Sequence, residues 1–163
     1  MAPNGQTTSR KIECNTHISV SIKMKYQIQT IDHKDQPYNT VADWRFSNDS
    51  KTCYINVSDT GDTDYNNALA LHETTEIMQL LRLYTPKQAV DKVDRFDEEF
   101  EKNRTEWESE PGDSPKAPYW NEHSFATVVE RCYLASQNRN WKEYEDTLTE
   151  MMKGYKNHGN DKS

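Results

Sequence analysis

No apolar run in this chain approaches the roughly 18 residues a membrane-spanning helix needs. The N-terminus carries no apolar segment of the secretory-signal kind, so the expected location is a cytoplasm and no membrane association is expected. Cysteine is scarce and odd in number. Cys14, Cys53 and Cys132 lie far apart, which excludes a CxxC zinc motif and a disulfide framework. Lysine and arginine are not clustered, and the net charge is −7. This acidic balance excludes a general nucleic-acid binder, which needs a basic face for the phosphates. Without secretion, the sequons at Asn48, Asn56 and Asn103 carry no meaning. Hydrophobic residues are only 33% of the 163, against 29% charged, so one domain with a small core is expected. No internal repeat is visible.

The chain then divides by its patterning. Residues 1–15 lack periodicity and are expected to form a disordered leader, with a single domain over 16–156 and a flexible tail over 157–163. Over 17–28 apolar and polar residues alternate, placing Ile18, Val20, Ile22, Met24, Tyr26 and Ile28 on one face of a half-buried strand or a bent pair of strands. Residues 44–57 read as a hairpin completing a small, mainly antiparallel sheet. An acidic loop, 58–64, leads into a helix that stops near Tyr84, and Pro86 suits the first turn of a second helix. That helix has Val90, Val93, Phe96 and Phe100 as its apolar stripe, and Trp107 if it runs that far. The loop 108–118 holds three prolines and a glycine and is longer than a helix link requires, which suits a lid or a site lining. Two more helices are expected over 119–137 and 140–156, the last with Trp141, Tyr144, Leu148 and Met151 inward. The predicted fold class is therefore α+β, a small N-terminal antiparallel sheet packed on three to four helices.

The most apolar stretch of this polar chain runs from 66 to 83 and holds three ionisable side chains at its centre. His72 and Glu76, four apart, share a helix face with Leu69, Leu80 and Leu83. A histidine and a carboxylate on a core-facing stripe need hydrogen bonds, a charge partner or a metal, because bare burial costs several kcal/mol. On the third helix Tyr119, His123, Ala126, Glu130 and Tyr133 share a face, so two helices each carry polar groups inward. Facing one another satisfies both, and a metal between them is the simplest means. His72, Glu76 and His123 form the candidate ligand set for a three-ligand open zinc site, with Tyr119 and Glu130 supporting it. The plainer alternative is an i,i+4 hydrogen-bonded pair on the helix, or a pair satisfied by Arg131 or Tyr119, with His123 an ordinary partly buried histidine.

The stretch His72-Glu73-x-x-Glu76 resembles the zinc helix of zincin-type metallopeptidases, with Glu76 where the second histidine of that HExxH pattern stands. The resemblance implies that His72 is a ligand and Glu73 the catalytic base; Glu76 as a ligand is a substitution read from this chain. As a whole the chain also resembles small uncharacterised bacteriophage-encoded proteins, which implies a host cytoplasm and no particular activity. A second constellation, Glu73 and Glu76 with Asp91, Asp94 and Asp97, looks like the Mg²⁺-binding pattern of all-helical nucleotide pyrophosphohydrolases. Aspartates in the second pair and the N-terminal β-region depart from that pattern, and a solvated acidic face opposite Val90, Val93 and Phe96 is the preferred explanation of the spacing. Ser124 cannot pair with its neighbour His123, Cys132 lacks a same-face histidine, and Pro111-Gly112-Asp113 is too short for a phosphate loop.

The expected function is a metal-dependent hydrolase: zinc held by His72, Glu76 and His123, with Glu73 as general base and a small-molecule or peptide substrate; a further alternative is a nucleotide pyrophosphohydrolase with Mg²⁺ or Mn²⁺ on Glu73, Glu76, Asp91 and Asp94. The alternative is a non-catalytic interaction protein that keeps the cluster as a structural centre and meets a basic protein partner.

Overall fold

The computed structural model describes residues 24–103 and 109–154. The leader over 1–15, the strand residues Ile18, Val20 and Ile22, Trp107 and the tail over 157–163 all lie outside them. Three strands, β1 (Lys25–Ile31), β2 (Ala42–Phe46) and β3 (Thr52–Ser58), precede four helices, α1 (Thr63–Leu83), α2 (Pro86–Lys102), α3 (Trp120–Ser136) and α4 (Trp141–Gly154). The molecule is α+β, a small N-terminal sheet packed on four helices.

The sheet is mixed, with strand order β1-β3-β2. β2 and β3 form the expected antiparallel hairpin, but β1 runs parallel to β3, so the sheet is mixed where a mainly antiparallel one was expected. The reason is burial. Cys53, Ile55 and Val57 alternate inward on β3 and are at most 1% exposed, so β3 takes the centre. The chain reverses between β1 and β2 and again between β2 and β3, which returns β3 to the direction of β1. On the outer strand the alternation buries little. Met24 and Tyr26 reach the core, whereas Ile28, expected on the same inward face, is 50% exposed.

Asp62 caps α1, its side chain accepting from the Asp64 and Tyr65 amides at 2.9 and 3.4 Å. Gly61 before it has φ +77°, a backbone conformation that costs glycine nothing. Arg139, in the turn before α4, pairs with both Asp62 and Asp64 and ties the start of α1 to the far end of the helical layer. α1 ends at Leu83 because Thr85 opens α2 with a reciprocal cap to Gln88, and Pro86 follows in the first turn. Tyr65, Ala68, Leu69, His72, Glu76, Ile77 and Leu80 are buried on α1; Leu83, expected among them, is 62% exposed. On α3 the buried set is His123, Ala126, Glu130 and Leu134. Ala68 and Ala126, both fully buried, let α1 and α3 approach closely along their lengths. On α2 Ala89 and Val93 carry the burial, with Phe96 packed beside them; on α4 it is Tyr144 and Met152. No helix among the described residues is long and apolar enough to cross a membrane.

Candidate metal centre

The close α1–α3 packing determines what the two polar faces do. His72 and Glu76 are one turn apart on α1, and His123 enters from the second turn of α3. His72 Nε2 lies 3.2 Å from His123 Nδ1, and Glu76 Oε2 lies 3.0 Å from His123 Nδ1 and 3.7 Å from His72 Nε2. All three residues are buried. Zn–N and Zn–O bonds of about 2.0–2.1 Å in a tetrahedron place neighbouring donor atoms about 3.3 Å apart. The observed triangle brackets that spacing, so the three atoms fit a single ion of this size.

The outward nitrogens of both histidines meet carboxylates. His72 Nδ1 is 3.1 Å from Glu130 Oε2, and the Tyr144 hydroxyl donates to the other Glu130 oxygen. His123 Nε2 is 3.3 Å from Asp113 Oδ1 and 3.9 Å from Glu110 Oε2. Carboxylates accept, so these partners assign a proton to each outward nitrogen. The inward nitrogens then turn lone pairs toward each other and toward the Glu76 carboxylate. Three acceptors within 3.7 Å need a cation among them, either a metal ion or additional protons on the rings. A carboxylate behind each metal-facing imidazole is also the usual outer arrangement of histidine metal ligands.

The ionisation of the site follows. Burial alone lowers a histidine, but hydrogen bonds that the ring donates to Glu130 and Glu76 hold His72 well above its ordinary value. Burial is likewise outweighed at His123, which Asp113 and Glu76 raise to about 10. Burial would raise Glu76, yet hydrogen bonds to both histidines bring it down to about 2. Glu73, one residue round the helix from the triad, behaves oppositely. Burial, joined by the neighbouring Glu76 and Glu110 charges against the opposing histidines, pushes it up to about 8.

A cavity of about 100 Å³ opens beside the triad, lined by His72, Glu73, Glu76, His123 and Tyr119 among others. Glu73 makes no hydrogen bond to the described residues. Tyr119 points its hydroxyl at Asp97 rather than at a ligand, and Asp97 is raised to about 7, chiefly by burial. Glu130 orients His72. Neither Arg131 nor Tyr119 satisfies the His72–Glu76 pair: Arg131 lies near Glu145, 3.8 Å away, and stacks on Trp141. Asp94 and Asp97 line the same cavity as Glu73 and Glu76, but Asp91 lies on a separate groove with Lys92, Arg95 and Phe96, so the carboxylate pairs do not assemble as a set.

Sequence reasoning did not name Glu110, Asp113 or Tyr144 as site residues. Gly112 was the available signal. A Cβ built there would stand 2.5 Å from Cγ and Nδ1 of the His123 ring, so only glycine lets this turn lie on the imidazole. The loop 108–118, expected to line the site, does so through this turn. No family model matches the chain, and no curated protein and no solved structure matches it.

Proposed function

We propose that this protein is a metal-dependent hydrolase with a mononuclear zinc-type centre formed by His72, Glu76 and His123. The observation that carries the reading is the donor triangle of 3.0, 3.2 and 3.7 Å, with a carboxylate behind each imidazole. Two nitrogens and one oxygen suit zinc better than Mg²⁺ or Mn²⁺, which favour oxygen ligands throughout. Three protein ligands beside a cavity leave a coordination position open, as catalysis requires. A bound zinc ion supplies Lewis acidity and lowers the pKa of water toward about 7. Glu73, beside the triad and without a hydrogen-bond partner among the described residues, would accept the proton once the charge of a bound ion returned its carboxyl, raised to about 8, to the ionised form; Glu130, Asp113 and Glu110 hold the imidazoles in register. The zincin-like helix is consistent with these roles, and a cytoplasmic, phage-type setting belongs to the same proposal. The test is hydrolysis of 4-nitrophenyl acetate by the zinc-loaded protein against Glu73→Gln; equal rates contradict the role of Glu73.

A second reading, a non-catalytic interaction protein, is favoured by one observation: the network joins α1, α3 and α4 through Glu76, His123, His72, Glu130 and Tyr144. A structural centre would use the same residues, and its acidic surface would meet a basic partner.

A further inference from the structure

The strand order leaves β1 at an outer edge of the sheet, and its hydrogen bonds to β3 alternate along its length. In a parallel ladder every second residue turns both backbone groups to its neighbour. Lys25 donates to the Lys51 carbonyl at 2.9 Å, and Ile31 accepts from the Asp59 amide at 2.7 Å, which sets the phase. Lys25, Gln27, Gln29 and Ile31 therefore serve β3, while Tyr26, Ile28 and Thr30 turn their amides and carbonyls to the open edge. Among the described residues, no strand or loop backbone pairs with those groups. Sheet edges are commonly blunted by proline, a bulge or an inward charge. β1 has none of these. Its register runs unbroken over seven residues without proline, and its one charged residue, Lys25, lies at the end. Ile28, on the face that Tyr26 turns to the core, is 50% exposed at this edge.

We infer that this edge is an interface with a second copy of the chain, the two β1 strands pairing antiparallel about a two-fold axis at Ile28. The register follows from the phase of the ladder. Tyr26 and Thr30 lie symmetrically about Ile28, so a two-fold there sets Ile28 opposite its counterpart and Tyr26 opposite Thr30. Each is a hydrogen-bonded pair with Cα atoms about 5.5 Å apart, and every outward amide and carbonyl of the three residues finds a partner. The two exposed Ile28 side chains then cover one another. Charge selects the same direction. Lys25 opens the strand, and Asp32 and Asp35, against the one lysine Lys34, follow its end. Antiparallel pairing brings Lys25 beside Asp32 of the second copy, whereas parallel pairing sets like charges together at both ends. Two three-stranded sheets become one. β2, which borders the cavity beside the triad through Ala42, Asp43 and Trp44, is the opposite edge, so both cavities stay open. The inference goes beyond the hydrolase reading and does not depend on it.

Sedimentation velocity of the full chain, from micromolar to millimolar concentration, should show reversible growth from monomer to dimer. Ile28→Lys sets like charges face to face at the axis and should weaken association by more than about tenfold. Thr30→Pro removes an amide that faces away from β3, so it blocks the edge while the β1–β3 ladder keeps its bonds. Both variants should retain the wild-type circular dichroism. An equimolar mixture of Ile28→Lys and Ile28→Glu should dimerise again at low salt. Amide exchange gives a second reading. On concentrating the wild type, Tyr26, Ile28 and Thr30 should gain protection, whereas Gln27 and Gln29 are protected throughout. If one variant misfolds, the other and the exchange pattern decide. A wild type that stays monomeric to about 1 mM overturns the proposal. So does a dimer that survives both substitutions, because its interface lies elsewhere. Protection of the three edge amides in the dilute monomer assigns the edge to another segment of the same chain and also overturns it. A Lys and Glu mixture that stays monomeric overturns the two-fold at Ile28.

Discussion

His72 Nε2 and His123 Nδ1 face each other at 3.2 Å across the α1–α3 contact, each ring backed by a carboxylate on its far side. Two imidazole nitrogens hold that geometry only with positive charge between or upon them, and the consequences can be measured.

Metal uptake should release protons. Both histidines are raised by their carboxylates, His123 to about 10, so at neutral pH the metal-free site carries protons that a metal must displace. Calorimetry of Zn²⁺ binding in buffers of different ionisation heat should give about one to two protons released per ion at pH 7. Apparent affinity should rise with pH. No proton release would mean that the rings are neutral before the metal arrives.

Without metal, the pH dependence of stability has a definite sign. His123 titrates at about 10 folded against about 6.5 unfolded, so its contribution is full below about 6.5 and is lost as pH rises through 10. Glu76 titrates at about 2 folded against about 4.5 unfolded, so its contribution is full above about 4.5 and is lost as pH falls toward 2. Urea midpoints of the chelator-treated protein should therefore peak near pH 5–6 and fall on both sides. A midpoint that climbs steadily from pH 6 to 9 contradicts the assignment.

Gly112→Ala should damage the centre without touching a ligand. The new methyl group would meet the His123 ring at 2.5 Å, so the turn or the imidazole must move. Overpacking of this kind costs about 1–3 kcal/mol, readable as a lower urea midpoint, and zinc affinity should fall with it. Unchanged stability and affinity would show that the turn does not press on the ring.

Glu130→Gln should retain the fold and weaken zinc binding by about 10- to 100-fold, the usual cost of losing a carboxylate behind a ligating histidine. Tyr144→Phe should cost about 1 kcal/mol of stability through the lost donor to Glu130, with a smaller effect on zinc. A competition titration with a fluorescent zinc chelator separates the two variants.

The centre was legible in the sequence to the extent that it follows helix periodicity. His72 with Glu76, and His123 with Glu130, each share a face by spacing alone, and both pairs prove buried. Glu110 and Asp113 were not legible as partners of His123, because a turn ten residues upstream is placed by tertiary packing and only Gly112 marks the close approach. Asp97 was read as part of a metal-binding acid set, whereas Tyr119 engages it at the cavity wall. In the sheet, alternation located β2 and β3 but not their order, since pairing is decided by which strand has the most apolar surface to bury. Ile28 and Leu83 fit their periodic patterns and still lie exposed, one on an outer strand and one in a final helical turn, where the covering layer ends.

The most direct test is the metal content of the purified protein by plasma mass spectrometry, followed by Zn²⁺ titration of the wild type and of His72→Ala, Glu76→Ala and His123→Ala. The expected result is about one zinc per chain in the wild type, and loss of tight binding in all three variants while each keeps its helical content. Less than about a tenth of an equivalent in the folded wild type, with no uptake on titration, would contradict the metal centre and leave His72, Glu76 and His123 as a protonated hydrogen-bond network.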